Sequence, residues 1–213
     1  MRLRFWVKQG LDSLLMALGA SALYILLMSI QTDDGLAGML VLAPLYLLVF
    51  GGFMTMAFVV GIYKLSVPLA LSFGSTRNEV LLGLQIMRLF PIVGIPALAA
   101  LLTAVSGDPA SMPAATLFPM GIGFITIMSA LGSVFGVVYT KFGKIAAVAT
   151  VISIALGGMA GGVFAALAGD SNPMDWLARQ DRLGLLVLCI GLFVYSLAMI
   201  PEHRTVWKCN VKL

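Results

Sequence analysis

Residues 72–83, SFGSTRNEVLLG, place a glycine, a Ser–Thr pair, an Arg, an Asn and a Glu between two long apolar runs. Thr76 and Glu79 have the spacing of a capping box. In that motif the hydroxyl and the carboxylate each accept a hydrogen bond from the other residue's backbone amide, and a helix begins at the next residue. Gly74 interrupts the preceding run, so the expected helix starts at Arg77 and continues into the apolar stretch that follows. On that helix Arg77, Asn78, Gln85 and Arg88 fall within an arc of about 100°. Leu81 lies inside the arc, while Val80 and Leu82 face elsewhere.

Other residue types narrow the chemistry further. There is one histidine, His203, and it follows the last apolar run. A Ser–His protease working inside a membrane needs a histidine within a span, and zinc sites need His and Cys clusters. Neither pattern is present. GVVYTKFGKI resembles a phosphate loop only in part, because Val138 stands where the first glycine is needed and Ile145 where a Ser or Thr is needed. No residue is assigned as catalytic, cofactor-binding or metal-ligating. The two cysteines, Cys189 in a span and Cys209 in the tail, fall at different levels and do not suit a disulfide.

The elements that must hold these residues follow from composition. Hydrophobic residues make up 61% of the 213 and charged residues 10%. Soluble domains are about 45–50% apolar and about 25% charged, so a lipid bilayer must solvate much of this surface. A spanning helix takes about 20 apolar residues. Six candidates satisfy that, at about 13–31, 37–62, 88–106, 113–139, 145–168 and 183–201. The runs are continuous rather than alternating, which excludes strand spans. The expected fold is an all-α integral membrane protein, a single transmembrane domain over residues 1–213.

Short polar breaks separate the spans, and Trp6, Trp176 and Trp207 stand beside breaks or ends, as in an interfacial aromatic belt. With the N-terminus inside, 11 of the 13 Lys and Arg residues and only three of the nine acids fall on the inner side. The positive-inside rule then puts both termini in the cytoplasm. The net charge of +4 reflects this asymmetry and not nucleic-acid binding. A cleaved signal peptide fits poorly, because Asp12 interrupts the start and the apolar run continues past Ala22. The N-terminal segment reads instead as an interfacial helix. Arg4, Lys8 and Asp12 form one polar stripe, and Phe5, Trp6 and Val7 enter the headgroup boundary. Topology-setting charge alone is the alternative.

The expected spans have no ionisable residue in their interiors, since Asp12, Arg88 and Asp108 fall at edges. Carriers driven by proton or sodium gradients place such groups at membrane depth, so a self-powered carrier is disfavoured. Small residues recur at GxxxG spacing: Gly157 with Gly161, Gly158 with Gly162, and Gly132 with Gly136. They suit close helix packing, either within one subunit or across a dimer. Pro91 and Pro96 are expected to kink the third span.

The excursion over about 64–87 is either an elbow resting on the headgroups or a short, capped docking helix. A basic N-terminal segment, six spans with both ends inside, and a capped GSTRNE helix between spans two and three resemble the membrane subunit of an ABC-2 type transporter, with a type V exporter-like architecture. Gly74, Ser75 and Arg77 match the flavour of that family's loop. A short external helix at about 172–182 also matches, with Asn172 as cap, Pro173 in the first helical position and Asp175 in the first turn. In size the chain is similar to compact Gram-positive permeases for export of, or immunity to, antimicrobial or amphipathic peptides.

The resemblance implies a bacterial cytoplasmic-membrane permease working with a second copy or paralogue. Two copies of a separate ABC ATPase would hold the ATP and magnesium. Ser75, Thr76, Arg77, Asn78 and Glu79 would form the coupling end of the loop, and the turn from Lys141 to Lys144 a second contact or a topology anchor. The resemblance implies no cofactor in this chain. The alternative is a small channel or carrier, or a peptide-binding immunity or assembly factor.

Overall fold

The computed structural model describes residues 2–31, 35–106, 113–143 and 183–208. These form five helices: α1 (Arg2–Gln31), α2 (Gly35–Ser72), α3 (Arg77–Ser106), α4 (Ala114–Phe142) and α5 (Leu183–Lys208). Among the described residues there is no strand. All five helices are long and apolar enough to cross a membrane. The fifth expected span, 145–168, and the expected external helix at about 172–182 lie outside the described residues, as do Lys144, Gly157, Gly158, Gly161 and Gly162.

The helices are longer than the apolar runs that predict them. α1 is one unbroken helix, so the N-terminal segment is not a separate interfacial element. Arg4 and Lys8 are exposed and Asp12 is half-buried, which keeps the polar stripe at the surface. Trp6, expected at the headgroup boundary, is instead 2% exposed within the bundle. Gly83 of α3 makes the room, since a methyl group added there would lie 2.3 Å from the indole nitrogen. Trp6, Gly10, Ser13, Ala17 and Ser21 form the buried stripe of α1. Its spacing of three and four residues is that of one helix face, and its small members let α1 lie close against its neighbours.

The expected excursion over 64–87 is mostly helix. α2 continues through Pro68 to Ser72, and α3 starts at Arg77. Lys64 to Ser72 are therefore the last turns of α2, and Arg77 to Met87 the first turns of α3. At about 1.5 Å per residue, the 38 residues of α2 reach about 57 Å. Pro68 is tolerated because a single missing amide bond is small against the packing of Val67 and Ala70 into the core.

Helix directions follow from the contacts. Trp6 lies at Gly83, Gly10 at Met87 and Phe90, and Leu14 at Gly94, so α1 and α3 run parallel. Gly184 lies at Thr116 and Gly191 at Gly123, so α4 and α5 also run parallel. Gly52 at Phe124 and Gly136 at Tyr63 give α2 the same direction as α4. Phe142 and Gly184 are consequently at opposite ends of the bundle. Two core clusters divide its length. One holds Trp6, Tyr63, Val80, Leu84, Met87 and Val206. The other holds Ala17, Leu48, Ile95, Ala99, Leu117 and Ile125.

Candidate functional site

The turn between α2 and α3 is held from both sides. Gly74 has φ +77°, a left-handed conformation that suits glycine. Its amide donates to the Leu71 carbonyl at 3.0 Å, and the Ser75 amide donates to the Ala70 carbonyl at 3.1 Å. This pair is a Schellman motif, which satisfies the free carbonyls at the end of α2. At the start of α3 the Thr76 amide donates to Glu79 Oε2 at 2.8 Å, and the Glu79 amide donates to Thr76 Oγ1 at 3.3 Å. The expected capping box is thus formed. Thr76, Asn78 and Glu79 are exposed at the tip and Ser75 is half-buried. The Arg77 guanidinium lies over the Trp207 ring, 5.6 Å from its centroid, which ties the turn to α5.

The polar arc on α3 has a different destination from its tip. Arg88 is 1% exposed and pairs with Glu202 of α5, which is also 1% exposed. Its Nη1 donates to Glu202 Oε2 at 2.8 Å, and its Nη2 donates to the Tyr63 hydroxyl of α2 at 2.8 Å. The Tyr195 hydroxyl donates to Gln85 Oε1, and the Arg88 guanidinium stands 5.9 Å from the Tyr195 ring centroid. The expectation that the spans carry no buried ionisable group is therefore corrected. The sequence puts Arg88 at a span edge and leaves Glu202 just outside the expected span 183–201, but α3 begins eleven residues before Arg88 and α5 continues six residues beyond Glu202. A buried charge is tolerated only when paired and hydrogen-bonded, and α2, α3 and α5 each supply part of that pairing.

Three atoms of the cluster, Gln85 Nε2, Arg88 Nε and Glu202 Oε1, are buried without a hydrogen-bond partner. Two are donors and one is an acceptor, so the cluster retains capacity for a water molecule or a small polar ligand. The sequence carries a signal for this site that the span boundaries concealed. Gln85 and Arg88 are three apart and Tyr195 and Glu202 seven apart, so each pair shares one helix face.

Beside the cluster, Tyr63 forms part of the wall of a groove between α2, α4 and α5, with a volume of about 750 Å³. Lys64, Lys141 and Arg204 also line it. Lys141 is exposed near the end of α4, at the same end of the bundle as the 75–79 turn.

Gly132 and Gly136 pack inside this chain. A methyl group on Gly132 would lie 2.7 Å from the Met56 carbonyl oxygen, and one on Gly136 would lie 2.4 Å from the Tyr63 ring. A further close approach, backbone to backbone and missed in the sequence, joins α4 to α5. A methyl group at Gly123 would lie 2.5 Å from the Val187 carbonyl oxygen, and one at Gly191 would lie 2.6 Å from that of Gly123. Among the described residues no His, Cys, Asp or Glu cluster could hold a metal ion.

These features define a multi-pass α-helical membrane protein with a buried inter-helix ion pair. No family model, curated protein or solved structure matches the chain.

Proposed function

We propose that this chain is the membrane subunit of a transporter driven by a separate ATPase, which docks on the turn between α2 and α3. The observation that carries this reading is the double capping of that turn, by a Schellman motif on one side and a capping box on the other. A contact that transmits displacement must be stiff, and here both helix ends are closed around an exposed polar tip. Orientation is consistent with it. Among the described residues every Lys and Arg (Arg2, Arg4, Lys8, Lys64, Arg77, Arg88, Lys141, Arg204 and Lys208) belongs to the end of the bundle that carries the turn. The positive-inside rule makes that end cytoplasmic. In this reading the partner ATPases bind ATP and magnesium, and two permease copies work together. The transported molecule is an amphipathic peptide or another hydrophobic, lipid-like compound moving outward.

The test is affinity purification of the tagged chain from its native membrane in mild detergent. An ATPase subunit should co-purify with the wild type and be depleted by Arg77→Glu, with membrane abundance unchanged. Association and transport that survive both Arg77→Glu and Thr76→Ala would leave the turn a simple connector and end this reading.

A second reading, a carrier driven by an ion gradient, draws support from the Arg88–Glu202 pair, because charges inside spans commonly mark ion pathways. The purified chain in liposomes decides between the two. Proton or sodium flux without any ATPase, abolished by Glu202→Gln, favours the carrier.

A further inference from the structure

The groove between α2, α4 and α5 has no role in either transport reading. Its walls are apolar at Val67, Val137 and Pro201, and Lys64, Lys141 and Arg204 supply its charge. Among the described residues lining it none is acidic. All three cations are exposed. Lys64 is steadied by Tyr139, whose hydroxyl accepts from the ammonium at 3.2 Å. Lys141 and Arg204 have no carboxylate partner among the described residues.

Depth decides what such a groove meets. Lys141 is the next-to-last residue of α4, and Arg204 lies four residues before the end of α5. Both helices are long and apolar enough to cross a membrane, so these cations sit where a spanning helix passes the headgroups. Basic pockets between spanning helices at that level attract anionic headgroups. The volume, about 750 Å³, falls in the range of ~300–1,000 Å³ typical of ligand pockets. It accommodates a phosphoglycerol headgroup with the upper part of its acyl chains.

We propose that this groove binds an anionic phospholipid. The phosphate lies among Lys64, Lys141 and Arg204, and the acyl chains run along Val67, Val137 and Pro201. Charge complementarity selects the occupant, since a zwitterionic lipid would bring a second cation to a site whose described lining carries three cations and no acid. The apolar walls select a lipid over a free anion. Tyr63 lines the groove and also accepts the hydrogen bond from Arg88. The bound lipid therefore rests against the residue that braces the buried ion pair. The proposal requires only that the helices span a membrane, so it stands or falls apart from the ATPase reading.

The test uses the full chain, stripped of lipid in detergent and titrated with phosphatidylglycerol, phosphatidylcholine or inorganic phosphate. Thermal unfolding and native mass spectrometry are the readouts. Phosphatidylglycerol is expected to raise the unfolding midpoint and to remain bound in the mass spectrum, and the other two are not. Lys141→Gln and Arg204→Gln, at exposed positions, should each weaken the apparent affinity about fivefold. Arg4→Gln and Lys8→Gln, which remove the same charge elsewhere, should leave it unchanged. An equal effect of inorganic phosphate would make this an anion site without lipid and overturn the proposal. So would equal binding of phosphatidylcholine, or phosphatidylglycerol binding unaltered in both groove variants.

Discussion

Arg88 on α3 and Glu202 on α5 form an ion pair at 2.8 Å, with 1% of each side chain exposed. Tyr63 on α2 completes it by accepting from the other guanidinium nitrogen. The consecutive helices α2 and α3 and the distant α5 thus converge on one guanidinium.

Removing one partner should be worse than removing both. Glu202→Ala leaves a buried cation without its counter-charge, a loss of about 3–5 kcal/mol. Arg88→Met should cost a similar amount. The double variant Arg88→Met/Glu202→Leu should be more stable than either single variant when unfolding is followed in detergent. Strictly additive losses would show that the two side chains are not energetically coupled.

Gly83 and Trp6 form a second coupled pair. Gly83→Ala drives a methyl group into the indole, and overpacking of this kind costs about 1–3 kcal/mol. With Trp176 and Trp207 replaced by Phe, the emission of Trp6 should shift to longer wavelength in Gly83→Ala as the ring leaves the core. An unshifted spectrum would place Trp6 outside the bundle.

The capping box should have a local signature. Thr76→Ala removes the oxygen that accepts from the Glu79 amide, a loss of about 0.5–2 kcal/mol. Hydrogen exchange across residues 75–82 should accelerate, while the global unfolding midpoint moves little. Unaltered exchange in that peptide would mean that the box does not hold the helix start.

Helix direction yields a labelling pattern. In a background lacking Cys189 and Cys209, single cysteines at Ser75 and Phe142 should be protected from an impermeant thiol reagent in whole cells. A cysteine at Val105 or Pro113, at the other end of the bundle, should react. Labelling of Ser75 but not Val105 would invert the orientation and remove the basis for cytoplasmic docking.

Local features were readable in the sequence, and long-range ones were not. Gly74, Thr76 and Glu79 act through backbone atoms a few residues away, so their spacing alone predicts the turn. The pair Arg88–Glu202 is separated by 114 positions. A charge next to an apolar run looks like the end of a span until its partner is known, so Arg88 reads as a span edge and Glu202 falls just outside the expected span 183–201. The same reasoning put Trp6 at the headgroups, since nothing adjacent to it in sequence reveals the space left by Gly83. Gly132 and Gly136 stand out by their GxxxG spacing. Gly123 and Gly191 lie on different helices, and no spacing links them. Five of the six expected spans coincide with described helices, each extended at one or both ends.

The 114-residue separation also has a meaning in time. A ribosome adds about 5–20 residues per second, so Arg88 is synthesised about 6–23 s before Glu202. When Arg88 is made, only α1, α2 and the first turns of α3 precede it; α4 follows within the interval, and until its end the guanidinium has Tyr63 but not Glu202. The nascent chain therefore carries this charge without Glu202 until α5 arrives. Entry of α5 beside α4 is the event that neutralises it, and a chain truncated before Glu202 would retain that charge as a mark of incomplete synthesis.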